Sequence, residues 1–145
     1  MKTFLPSFIA SSANTFSGVL RVLIADSVEA DQKRLSKIFE HHDVMVVTST
    51  DGVETLRLIQ EESFDFICAS FPFDQTTENR FFGSLKNSDC NRRTPLFVFS
   101  STDTSTVPTN MHDGLVQKFS KQDLNKFFQY ITGLIGLIQK NCFFK

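Results

Sequence analysis

Four places in this sequence put chemically useful groups where a folded sheet could gather them. Asp26 ends the apolar run Val22-Leu23-Ile24-Ala25, and Ser70 ends the run Phe64 to Ala69. Ser100 follows Pro95 to Phe99, and Gln117-Lys118 close a short run that begins at Leu115. One carboxylate, two hydroxyls and an ammonium make a sparse set. A serine hydroxyl without an adjacent base is a weak nucleophile, and a single carboxylate offers little to a hard divalent cation. The remaining candidates read blandly. His41 and His42 end a helix, where cations sit well without any catalytic role, and they lack a third metal ligand. His112 has no visible partner, Cys68 lies in a buried strand, and nothing lowers the pKa of Cys90 or Cys142. Arg92-Arg93 reads as a solvated turn.

The elements that must position these groups follow from hydrophobic patterning. Short β-branched or aromatic runs at Val22–Ala25, Val44–Val47, Phe64–Ala69, Pro95–Phe99 and Leu115–Gln117 predict five strands. Between them, Leu35, Ile38 and Phe39 carry a helical stripe over 29–42. Val53, Leu56 and Ile59 carry a second after the start signal Thr50-Asp51-Gly52. Phe81, Phe82 and Leu85 place a third helix over 80–86, and a wide stripe from Leu124 to Ile138 places the last over 121–139. Residues 102–112 (TDTSTVPTNMH) are poor helical material, so the fourth crossover is expected to be short or irregular. Strand and helix in alternation imply an α/β fold, a doubly wound sheet of five parallel strands. In such sheets functional groups collect beyond the carboxyl ends of the strands.

Five stretches in this order, VLIADS (22–27), TDGVETLRLI (50–59), FDFICAS (64–70), TPLFVFSS (94–101) and GLVQKFSKQDL (114–124), resemble the receiver domain of two-component response regulators. The resemblance runs from about Arg21 to Ile135 and implies a flavodoxin-like (βα)5 fold. It also implies an acidic pair after the first strand to hold Mg²⁺, a phospho-accepting Asp after the third, a Thr or Ser after the fourth, and a Lys, normally followed by Pro, after the fifth. On this sequence the pair falls on Ala25 and Asp26, the acceptor position on Ser70, and the hydroxyl on Ser100. The Lys position falls on Lys118, with Gln117 as the alternative, and the mobile aromatic three residues earlier falls on Leu115. The implied pocket is then neutral, Asp26 against Lys118. Magnesium binding is expected to be weak or absent and no other cofactor is expected. Asp74 and Asp26 are the alternative acids on which weak phosphorylation could fall. Asp65 is excluded, because five residues along a strand from Ser70 is the opposite face.

Composition narrows the function classes. Fifteen Lys plus Arg against 16 Asp plus Glu leave a net charge of −1, so no basic excess collects phosphates and a nucleic-acid binder is not expected. No Gly-rich cradle follows the first strand, which argues against a flavodoxin-type ligand site. Three cysteines without CxxC spacing exclude a disulfide scaffold or structural zinc. No run of 18 apolar residues exists, and Pro6-Ser7 interrupt a faint signal-peptide pattern at the start, so a cytoplasmic location is expected. The expected organisation is an N-terminal extension (1–20), a receiver-like domain (21–138) and a C-terminal tail (139–145). With 17 Phe and one Tyr, aromatic residues supply much of the 41% hydrophobic content. Phe71 and Phe73 are expected either to fill the emptied pocket or to meet a partner. Leu115, Phe127, Ile131 and Leu134 mark the face of fourth helix, fifth strand and fifth helix through which receivers commonly dimerise. The expectation is a non-enzymatic, phosphorylation-incompetent receiver that binds another signalling protein or output domain.

Overall fold

A computed structural model describes residues 19–71, 78–100 and 112–143. Five strands, β1 (Leu20–Ala25), β2 (Val44–Ser49), β3 (Phe66–Phe71), β4 (Leu96–Ser100) and β5 (Val116–Ser120), form one sheet of order β2-β1-β3-β4-β5. Every neighbouring pair is parallel. Four helices accompany it among the described residues: α1 (Glu29–Glu40), α2 (Gly52–Glu61), α3 (Glu78–Lys86) and α4 (Leu124–Phe143). The fourth crossover, residues 101–111, lies outside the described residues, as do Phe73 and Asp74.

Alternation along the strands sorts the core into two layers. Val22, Ile24, Phe66, Cys68, Phe97 and Phe99 pack with Leu35, Phe39, Phe127, Ile131 and Ile135, so α1 and α4 cover one face. Leu23, Ala25, Ile67, Ala69, Phe71, Leu96 and Val98 pack with Leu58, Ile59, Phe81, Phe82 and Leu85 of α2 and α3 on the other. A sheet covered on both faces explains why the central strands read as unbroken apolar runs. Asp51 caps α2, its carboxylate accepting the Glu54 N–H at 2.7 Å.

Several boundaries differ from the sequence reading. β3 starts at Phe66 and runs through Ser70 to Phe71; just ahead of it the Asp65 carboxylate accepts the Arg21 N–H at 2.8 Å. β5 runs on to Ser120, well past Gln117, and α4 begins at Leu124 and continues to Phe143 through the expected tail. The interface expectation is corrected at three residues. Phe71 is buried, its ring centroid 5.2 Å from that of Phe81 and 6.1 Å from that of Phe82, so it neither fills the cleft nor faces outward. Phe127 and Ile131 are fully buried in the domain's own core, and Leu134 packs partly buried against it. Leu115 is exposed, as are Phe128 and Leu137 on α4.

Candidate functional site

The carboxyl ends of β1, β3 and β5 meet around Asp26. Register fixes the neighbours: Ala25 lies opposite Ala69 on β3 and Ser49 on β2, so the next residues along, Asp26 and Ser70, adjoin at the sheet's end. Following Ile24 and Cys68 in the alternation, both project to the α1/α4 side. Ala25 points the other way, into the α2/α3 core, and so contributes no group to the cleft. The residue that follows Asp26 is Ser27, half-buried.

Asp26 is fully buried and held from several sides. Its N–H donates to Ser49 O at 3.0 Å. Its Oδ1 accepts from Val28 N–H at 2.9 Å, which supplies the start of α1 with a donor's partner where Val28 provides no side-chain cap. The ammonium that reaches it is that of Lys121, 3.3 Å from Oδ1 and 3.2 Å from Oδ2. The Oδ2 contact is an ion pair at an angle that makes no hydrogen bond, so this buried oxygen has no donor among the described residues. Lys121 Nζ also donates to Asp31 Oδ2 at 3.1 Å, from the first turn of α1. Arg34 completes the group, its Nη1 3.2 Å from Asp31 Oδ1 and its Nη2 donating to Lys121 O at 3.4 Å.

Lys118 is therefore not the cleft lysine. It sits in the middle of β5, exposed, beside Val98 in register. The lysine after the fifth strand is Lys121, followed by Gln122 and not by the Pro of the receiver pattern. Counting back three residues, the aromatic position of the receiver pattern falls on Lys118 and not on Leu115. β5 does not end at Gln117 but continues to Ser120, which moves the strand's end three residues on. The signal that could have found Lys121 is the alternation continuing through Phe119, with Phe119 facing the aromatic core beside Phe97, Phe99 and Phe127. Asp31 has no such signal, since nothing local marks which helix acid will meet a lysine ninety residues away.

Ser70 is buried, and its Oγ has no hydrogen-bond partner among the described residues. Ser100 lies at the end of β4 in register with Phe71 and Ser120, and its carbonyl accepts the Lys121 N–H at 3.1 Å. The backbone of the hydroxyl position thus fixes the stem of the cleft lysine.

The other candidates stay outside the cleft. His42 Nε2 lies 3.3 Å from Thr132 Oγ1, and His41 meets the edge of Phe128. Burial pushes the Cys68 thiol well up, which leaves it unreactive, while Cys90 is exposed; both are free. His112 does have a partner: its Nε2 lies 2.6 Å from Thr94 O, at the opposite end of the sheet from Asp26. Among the described residues no cluster of three metal-ligating side chains occurs, and no helix is long and apolar enough to cross a membrane.

No family model matches this sequence, and no curated protein matches it. Solved structures do. The response regulator domain of Thermotoga maritima CheB superimposes with a TM-score of 0.64 at 17% identity, covering 84% of this chain and 97% of that one. Vibrio cholerae CheY4, a chemotaxis response regulator, gives 0.63 at 20% identity over 78% and 98% of the two chains. The receiver domain of the sensor histidine kinase PA1611 from Pseudomonas aeruginosa, with magnesium coordinated in its active-site cleft, gives 0.62 at 12% identity over 77% and 95%. The chain has the flavodoxin-like fold of response regulator receiver domains.

Proposed function

We propose that this chain is a degenerate receiver domain, working in the cytoplasm within a phosphorelay-type signalling pathway. In this reading it does not accept a phosphoryl group and acts by binding another protein. The observation that carries the reading is Ser70. It occupies the position beside Asp26 where the acceptor Asp of a receiver would stand, and it brings a buried hydroxyl that no base among the described residues engages. Acyl phosphate formation needs a carboxylate nucleophile. Asp26 is a poor substitute, being fully buried with Oδ1 engaged by Val28 N–H and Lys121.

The donor set also fails to fit a divalent ion. Receivers hold Mg²⁺ with clustered carboxylates, whereas Ser27 and Ser70 stand here where carboxylates would be, and an ammonium already covers the one that remains. A hard cation asks for several oxygen ligands, mostly charged. No step through a metal is therefore assigned, and the domain is read as a binding module and not as an enzyme.

The partner would be another signalling protein or output domain, or a second copy of the chain through the β5 and α4 side, where Leu115 and Leu137 are exposed. The test is incubation of the full chain with a small phosphodonor and Mg²⁺, followed by intact mass and peptide mapping. The expected result is an unmodified chain. A phosphoryl adduct would overturn the reading, and its location on Asp74 or Asp26 would identify a weak, atypical receiver.

A further inference from the structure

The ammonium of Lys121 sits where two carboxylates from different elements converge. Asp26 Oδ1 and Oδ2 lie 3.3 and 3.2 Å from Nζ, and Asp31 Oδ2 lies 3.1 Å away. The Lys121 side chain is only 16% exposed and that of Asp26 1%, so water does little to screen their attraction. Arg34 balances the second carboxylate and reaches back to the Lys121 carbonyl, closing a loop of contacts between α1 and the end of β5. Two carboxylates and two cations leave the group neutral.

We propose that Lys121 is itself the resident cation of this cleft. Its ammonium takes the place between Asp26 and Asp31 that a divalent ion would need, and it ties the β5 end to α1 whether or not metal is present. A tethered cation has a high effective concentration at its site, and a metal entering beside it would have to displace it against like-charge repulsion. The proposal rests on the reading of the cleft as metal-free, but it does not depend on Ser70 or on the identity of any partner. It adds a cause: two carboxylates do converge, and a lysine keeps them occupied.

The experiment compares the full chain with its Lys121→Met variant by Mg²⁺ and Mn²⁺ titration, using calorimetry and Mn²⁺ spin resonance. The native chain is expected to show no saturable site up to about 10 mM, while Lys121→Met gains one with a Kd of about 1 mM. Adding Asp31→Asn to Lys121→Met should abolish the gain. Equal binding by the native chain and Lys121→Met, or a folded Lys121→Met that binds nothing, overturns the proposal. If Lys121→Met folds only when Mg²⁺ is added, and K⁺ at matched ionic strength does not rescue it, the proposal is upheld. Should magnesium also fail to rescue it, Asp31→Asn in the otherwise native chain decides. Losing one of its two carboxylates should make Lys121 acylate severalfold faster with an amine-reactive ester, read by peptide mapping, and an unchanged rate overturns the assignment. A phosphoryl adduct on the native chain would sink the degenerate-receiver reading and leave the lysine assignment standing.

Discussion

A hydroxyl sealed from water and given nothing to bond costs stability, and among the described residues Ser70 carries such a hydroxyl. Its Oγ is buried at the end of β3 with no hydrogen-bond partner among the described residues. Removing such a group releases a desolvation cost of about 1 kcal/mol or more, while the change from CH₂OH to CH₃ leaves packing nearly intact. Ser70→Ala is therefore expected to be neutral to stabilising by about 1 kcal/mol in urea denaturation. Loss of more than that amount would mean the hydroxyl is bonded after all. At this scale the sequence was a partial guide. Ser70 and Asp26 are legible because each ends a clear apolar run, and strand register sets them side by side at the sheet's end. The cleft lysine reads as Lys118 in the sequence and is Lys121 in the structure, because its place depends on where an edge strand stops; Asp31 carries no sequence signal, because its place depends on how a helix is rotated over the sheet. The receiver resemblance puts Ala25 in the cleft, but pleating sends its side chain through to the other face.

The same contrast runs through the elements. The central strands β1, β3 and β4 are buried on both faces and announced themselves as continuous apolar runs. β5 lies at the sheet's edge and none of its residues is fully buried. Gln117 and Lys118 therefore interrupt its apolar pattern without ending the strand. The last helix was read correctly as strongly apolar, but the residues taken for an interface stripe include its inward face. Phe127 makes edge contacts with Phe39, Phe97, Phe99 and Phe119 at centroid distances of 5.9, 5.5, 4.9 and 5.0 Å. Truncating it would empty the centre of that layer. Phe127→Ala should cost about 4 kcal/mol, whereas the neighbouring, exposed Phe128→Ser should fall within about 1 kcal/mol of the native chain. Comparing their denaturation midpoints checks both, and similar losses in the two variants would contradict this division of the helix. Asp51→Ala, which removes the acceptor of the Glu54 N–H, should cost about 1 kcal/mol by the same measurement.

For the molecule as a whole, the sheet is fastened at both ends, by a partly buried ion-pair cluster at one and by a buried hydrogen-bond network around Asn91 at the other. Opposite the cleft, buried Asn91 donates to Ile59 O at 2.6 Å and Glu62 O at 2.7 Å and accepts from Phe64 N–H at 3.0 Å. His112 joins the start of β5 to this corner through Thr94 O. Gly114 allows the close fit, since a Cβ there would stand 2.5 Å from Arg93 O. With Nε2–H given to Thr94, the lone pair lies on Nδ1, which is buried without a partner among the described residues. Protonation would put a charge and an unpaired N–H there. Burial accordingly pushes the imidazole below its ordinary 6.5, against the opposing pull of the Thr94 bond and of Asp113. Asp113 lies 4.0 Å from Arg92, which offsets part of its pull. The sign follows from linkage: in the window just below 6.5 the unfolded chain takes up a proton that the folded chain refuses, so stability rises with pH there. The contribution is complete above the ordinary histidine range, falls as the solution is acidified through it, and levels off once the folded imidazole is also charged. Urea midpoints measured from about pH 7.5 down to about pH 5 should therefore decline for the native chain. His112→Gln keeps a neutral donor for Thr94 O and removes the titration, so its decline over this window should be shallower. Parallel slopes in the two proteins would show that the acid sensitivity comes from somewhere other than this corner.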